Sequence, residues 1–318
     1  MRRENVAIVF PGQGSQCIGM GKDLYDNFQV AREVFDEVDE AIGQNLSKLM
    51  FDGDKDELNL TENTQPAIMA VSVAAYRVLA DHNKAYSMED LCAVTAGHSL
   101  GEYSALCAAG SISLSDTAKL LKARGKAMQK AVPLGKGGMS ALLGIDFDTA
   151  NQIAAEAEKF GVCDVANDNC IGQIVISGDI ATLEHAEKIA AEHGCKRAIR
   201  LAVSAPFHCK LMDPAAKVME EELAKVKILA PAVPVVANYT ARPNLSQVQI
   251  LPLLVGQVSN VVRWTESVKT IFDRYDTRNF IEVGPGKVLN GLVNRILMKT
   301  NFMNLEKTSD LNTIPNII

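Results

Sequence analysis

Apolar and polar positions along the chain follow two different rhythms. Residues 5–10, NVAIVF, form a short continuous apolar run that ends in PGQGSQ, the pattern of a buried strand opening into a glycine loop. In FQVAREVFDEVDEAIG, Val30, Val34, Val38 and Ile42 recur every four residues, which predicts a helix with one apolar stripe and a charged opposite face. NTQPAIMAVSVAAYRVLADHN starts with polar capping residues and an early proline, then turns apolar nearly all round, so it predicts a central buried helix. LCAVTAGHS is the next strand. VPVVANYT and RNFIEVGPG are two more, the second entering another glycine loop and the helix KVLNGLVNRILMK. Strands alternating with helices predict an α/β fold with a mostly parallel sheet covered on both faces.

Between residues 139 and 204 the rhythm changes. The order is strand MSALLGI, helix DTANQIAAEAEKFG, strand VCDVAND, strand QIVISG, helix IATLEHAEKIAAEHG and strand KRAIRLAVS. That β-α-β-β-α-β order is the ferredoxin-like arrangement. PLGKGGM before it and SAPFH after it carry the glycine and proline punctuation of a chain crossing. The expected organisation is therefore a large unit, 1–134 with 204–318, and a small inserted unit, 135–203. Clefts between such units are favoured ligand sites, which draws attention to the crossings.

Composition changes this picture little. The 318 residues are enough for a large core, and the formal charge of −6 speaks against a general nucleic-acid binder. Apolar runs are interrupted well before the length of a membrane span, and the N-terminus lacks the apolar core of a secretory leader. A cytoplasmic protein without membrane contact is expected. The seven cysteines are odd in number, lack CxxC spacing and sit mostly in apolar segments, so neither a disulfide framework nor a metal site is expected.

The chemistry starts from Gly97-His98-Ser99-Leu100-Gly101, which fits G-x-S-x-G at a strand-to-helix turn. Glycines permit the sharp turn, and the Ser99 hydroxyl would stand over a helix N-terminus with the Leu100 N–H aimed at an oxygen bound there. The alternative is that small residues merely let a helix lie close to a sheet. A serine needs a base. His185 and His193 lie among charged residues of the inserted unit, His82 at a helix end, and His98 is turned away by strand alternation. His208, in the loop where the chain re-enters the large unit, remains by elimination. No carboxylate among Asp146, Asp148, Asp164, Asp168 and Asp179 stands out as its partner, and the third member need not be an acid. The adjacent Cys209 has no elbow and reads as a bystander.

In SDTAKLLKARGKAMQKAV, Lys119, Lys122, Lys126 and Lys130 form a wet face, while Thr117, Leu121, Arg124 and Met128 step along the other side. Arg124 thus lies on an apolar stripe, where a guanidinium requires an anion: an internal Asp or Glu, or a substrate carboxylate held by its planar fork. The loop FPGQGSQCIGMG fails as a dinucleotide fingerprint, because Cys17 stands where a glycine is required, and it lacks G-K-[ST]. It can still donate an N–H, from about Gln13, to the same oxyanion as Leu100.

FPGQGSQ, LTENTQPA, GHSLGEYSAL, Arg124, APFH and GQVSNVVRW occur in the order found in malonyl-CoA:acyl carrier protein transacylases of bacterial type II fatty acid synthesis, and the chain resembles that family over nearly its whole length. The resemblance implies an α/β-hydrolase-like large domain with a ferredoxin-like insertion. It implies Ser99 as the acylated nucleophile, His208 as its base, and Gln13 and Leu100 as the oxyanion hole. It further implies Arg124 on the malonyl carboxylate, the Gln257 carbonyl orienting His208, and Phe207 at a position linked to acyl selectivity. Malonyl passes from coenzyme A to Ser99, and then to the phosphopantetheine thiol of holo-acyl carrier protein. No bound cofactor or metal is implied, and a monomer is expected. Acetyl would leave Arg124 unpaired, a penalty of roughly 2–5 kcal/mol. The acidic carrier protein would dock on a local basic patch: the Lys119, Lys122, Lys126 and Lys130 face, or Lys196, Arg197 and Arg200. A serine esterase or thioesterase, a polyketide-type acyltransferase and a carrier-binding module with a dead site are the competing readings.

Overall fold

The computed structural model describes residues 1–298 and 300–317. Lys299, the last residue of the helix predicted from KVLNGLVNRILMK, and Ile318 lie outside the described residues. Among the described residues ten strands form two sheets. The first contains β1 (Val6–Phe10), β2 (Val94–Gly97), β7 (Val235–Ala237), β8 (Arg242–Asn244), β9 (Asn279–Val283) and β10 (Asn301–Leu305), in the order β10-β9-β1-β2-β7-β8. All its neighbours are parallel except the β7–β8 pair. The second contains β3 (Gly137–Leu143), β4 (Cys163–Cys170), β5 (Gln173–Asp179) and β6 (Arg197–Arg200), antiparallel throughout in the order β4-β5-β3-β6. That is the strand order of a ferredoxin-like unit.

Strand β1 shows why its run is continuously apolar. Val6, Ile8 and Phe10 enter one core with the helix Thr61–Asn83, while Ala7 and Val9 enter another with Trp264 and Val293. Period-two alternation between two covered faces leaves no position for a polar residue. The small sheet divides in the same way. Ile174 and Ile176 of β5 pack under its own helices, Phe147–Ala157 and Ile180–Glu192, whereas Val175 joins the main core.

Some expectations need adjustment. In the helix Gln29–Ile42 the buried stripe is Ala31, Val34, Phe35 and Val38, so Val30 and Ile42 lie at its margins. Strands β8 and β10 carry no clear signal because edge strands are short and polar: RPN, and NFMNL with two asparagines. The predicted strand 196–204 ends at Arg200, and Leu201, Val203 and Ser204 peel off to line a cavity. Lys122 is not on the wet face. Its long stem folds back to the helix Thr61–Asn83, where Nζ donates to Gln44 and Asn63 and lies 3.7 Å from Glu62. Among the described residues no helix is long and apolar enough to cross a membrane.

Candidate active site

The serine turn is built by close approach. β2 ends at Gly97, the helix Leu100–Ala108 begins three residues on, and Ser99 between them has φ 53° and ψ −111°. A Cβ on Gly97 would lie 1.9 Å from the Gly101 carbonyl oxygen, and one on Gly101 would lie 2.3 Å from that of Phe10. Only glycine at both positions lets the helix start so near the ends of β1 and β2. Asn238, just beyond β7, staples the turn: its Oδ1 accepts from the Ser99 N–H at 2.7 Å, and its Nδ2 donates to the Gly97 carbonyl at 2.7 Å.

His208 reaches Ser99 from the returning loop, with Nε2 2.8 Å from Oγ. Its Nδ1 lies 2.9 Å from the Gln257 main-chain oxygen. A carbonyl can only accept, so Nδ1 carries the proton and Nε2 is left to accept from the serine. No acid is required to fix that tautomer. His208 also has positive φ, 59°, so both partners stand on backbone that costs about 1–3 kcal/mol each. Burial first, and then the Arg124 charge, push the imidazole down to about 3. It is therefore neutral near pH 7, the form a general base needs.

The helix Leu114–Ala131 delivers Arg124, 1% exposed, to the same point. Its hydrogen bonds go to neutral oxygens: Nη1 to Gln65 Oε1 at 2.8 Å, Nη2 to Gln257 Oε1 at 2.9 Å and to Ser99 Oγ at 3.1 Å. Nε finds no partner among the described residues, and the guanidinium lies 5.6 Å from the Tyr103 ring centre. The arginine has a donor to spare and, among the described residues, no direct ion partner.

Ser99, His208, Arg124, Gln13 and Phe207 line one cavity of about 530 Å³. The N–H groups of Gln13 and Leu100 have no acceptor among the described residues, as expected for donors at a loop and a helix start. Gln257, fully buried, belongs to the helix Gln247–Ser259. Of the other histidines, His98 is not turned away but lines the same cavity, bonded to Asn169 at 2.8 Å and packed by Trp264; His193 meets Glu156, His185 stacks on the Phe160 ring, and His82 is exposed in the last turn of the helix Thr61–Asn83. Cys209 is buried, donates to the Pro206 carbonyl, and burial pushes its thiol up to about 12, so it is no nucleophile. None of the five Asp candidates bonds His208: Asp146 caps the helix Phe147–Ala157, Asp148 lies in its first turn, Asp164 accepts from the Lys210 N–H, Asp168 from Thr265 and Asp179 from the Val162 N–H. Asn238, Gln65 and Glu102 carry much of the site and were not expected.

A serine raised between strand and helix, with a histidine held by a carbonyl at its hydroxyl, is an arrangement suited to serine-dependent acyl transfer. The family model "Acyl transferase domain" matches residues 7–312. The malonyl CoA-acyl carrier protein transacylase of Bacillus subtilis is 45% identical over 292 residues, 92% of this chain and 90% of that protein. The crystal structure of an acyl-carrier-protein-S-malonyltransferase from Bartonella henselae matches with TM-score 0.93 at 46% identity, covering 97% of this chain and 98% of that one. A malonyl-transacylase solved in complex with a type II PKS acyl-carrier protein matches with TM-score 0.92 at 39% identity, over 97% and 98% of the two chains. The chain belongs to the malonyl CoA-acyl carrier protein transacylase family.

Proposed function

We propose that this protein performs its family's reaction, malonyl transfer from malonyl-CoA to acyl carrier protein in fatty acid synthesis, through a malonyl ester on Ser99. The Ser99 oxygen attacks the thioester carbonyl as His208 Nε2 takes its proton. The oxyanion lies against the N–H groups of Gln13 and Leu100. Collapse breaks the C–S bond, and His208 returns the proton to the coenzyme A sulfur. In the second half the carrier thiol gives its proton to His208 and its sulfur attacks the ester, after which the proton returns to Ser99 Oγ. The Gln257 carbonyl keeps the imidazole in the tautomer that both halves need.

The observation that carries this reading is Arg124. A buried guanidinium with an idle Nε, one hydrogen bond from the nucleophile, is suited to an acyl group bearing its own carboxylate. A hydrolase acting on neutral esters leaves that cation without a purpose. Phe207 lines the cavity beside His208, a bulky neighbour that suits the unbranched malonyl group. The test is incubation with radiolabelled malonyl-CoA. Wild type should retain label, Ser99→Ala should retain none, and Arg124→Ala should lose most of its preference for malonyl over acetyl. Stable label on Ser99→Ala would overturn the mechanism.

A further inference from the structure

Beneath the reacting pair lies a carboxylate that the reaction leaves untouched. Glu102, in the first turn of the helix Leu100–Ala108, is 2% exposed. Its Oε2 accepts from Gln257 Nε2 at 2.7 Å and from the Asn238 N–H at 3.0 Å. Gln257 Nε2 also donates to the Ser99 carbonyl at 3.0 Å. Both amide hydrogens are thereby committed, so Oε1 must face Arg124, whose Nη2 donates to it. Glu102 sets which way round the Gln257 amide sits.

Arg124 makes its direct contacts with neutral oxygens, and Glu102 is the carboxylate whose field reaches it. We propose that Glu102 is the resident counter-charge of Arg124, coupled through the Gln257 amide, and that it takes up a proton when a malonyl carboxylate reaches the guanidinium. This rests on the reading of Arg124 as the carboxylate clamp. In the free enzyme one buried cation faces one buried anion. With malonyl bound it would face two, and in a medium that screens poorly the resident anion is the one that can be neutralised.

The surroundings support the assignment. Arg124 and Tyr103 are the charged and titratable groups facing Glu102, with His208 on the far side of Gln257. The remaining wall, including Leu106, Val235, Ala237, Ile250 and Leu253, carries no charge. Both hydrogen bonds to the carboxylate end on Oε2, which leaves Oε1 to take the proton from bulk water. Burial already pushes this carboxyl up to about 7, so ionised and protonated forms are both accessible near neutrality.

Proton uptake is read by calorimetry of malonyl-CoA binding to Ser99→Ala at pH 8, in two buffers of different ionisation enthalpy, with coenzyme A alone setting the phosphate background. The excess over that background should be roughly half a proton or more per site, falling toward zero at pH 5. Adding Glu102→Gln, which keeps the shape and an acceptor oxygen, should remove the excess. The same excess in that double variant, or none in Ser99→Ala, overturns the proposal. The clamp is tested separately: Ser99→Ala with Arg124→Ala binding malonyl-CoA as tightly as Ser99→Ala would sink the clamp reading itself. Weaker binding there, with uptake insensitive to Glu102→Gln, would sink only the role of Glu102. If Glu102→Gln does not fold, the wild type decides. Its kcat/KM should decline above pH 7 for malonyl-CoA and not for acetyl-CoA, and a decline common to both overturns the assignment.

Discussion

At the level of single residues, the site depends on groups made reactive by where they are buried. His208 is held down to about 3 chiefly by desolvation and next by Arg124. The acid limb of kcat/KM for malonyl-CoA should therefore lie well below pH 6.5, with the rate nearly flat from pH 5 to 6, as checked by initial rates across that range. An acid limb at pH 6.5 would mean that the imidazole is solvated. The same depression makes the folded state bind fewer protons than the unfolded chain between about pH 3 and 6.5, so this group's contribution to stability is lost as pH falls through that window. Ser99 and Arg124 were legible in the sequence because each violates a local pattern: a serine between glycines at a strand end, and an arginine on an apolar stripe. Asn238 and Glu102 violate none. An asparagine after a strand reads as a turn residue, and a glutamate in a first helical turn reads as a favourable helix-end charge. Their roles arise from contacts 136 or more residues apart in the chain. The orienting role of Gln257 is still less legible, since any residue has a main-chain carbonyl. It came from resemblance, not from residue type.

Secondary-structure elements show a related division. The buried strands β1, β2 and β9 announce themselves through continuous apolar runs, whereas β8 and β10 do not, because an edge is stabilised by one neighbour and protected by polarity. Strand β9 contains a telling exception to its own pattern. Glu282 is fully buried, and its two oxygens accept from the N–H groups of Leu289 and Asn290 at 3.0 and 2.8 Å, at the start of the helix Val288–Ile296. A strand side chain here supplies the cap of the helix that follows. Glu282→Ala should cost about 1–3 kcal/mol by leaving those donors unpaired. Burial raises this carboxyl to about 7, above its ordinary 4.5, so the folded state binds the extra proton in that interval. The stabilising contribution is full below 4.5 and lost as pH rises through 7. Urea titrations should accordingly show a larger gap between wild type and Glu282→Ala at pH 5 than at pH 8, and an equal or reversed gap would contradict the assignment.

For the whole molecule, charge placement separates the two candidate docking clusters. Lys119, Lys126 and Lys130 are exposed on the face of their helix opposite Arg124, and so turn away from the cavity. Lys196 and Arg197 are exposed beside β6, just before the segment 201–204 that lines the cavity, while Arg200 is occupied by Glu187. Reversing Lys196 and Arg197 to glutamate should raise KM for the acidic carrier protein about tenfold, or about 1.4 kcal/mol, with malonyl-CoA loading unchanged. Unchanged carrier kinetics would remove this cluster from consideration. We propose the division into 1–134 with 204–318 and 135–203 as the structural units, and one contact gives that division a practical meaning. A Cβ on Gly137, where the chain enters the small sheet, would lie 2.4 Å from the ring of Pro206, where it leaves. Entry and exit share a single doorway, so the stretch between them is topologically a cassette. Exchanging it between relatives should need no new linker, and because His208 stands two residues beyond the exit, each exchanged cassette would reset the aim of the base.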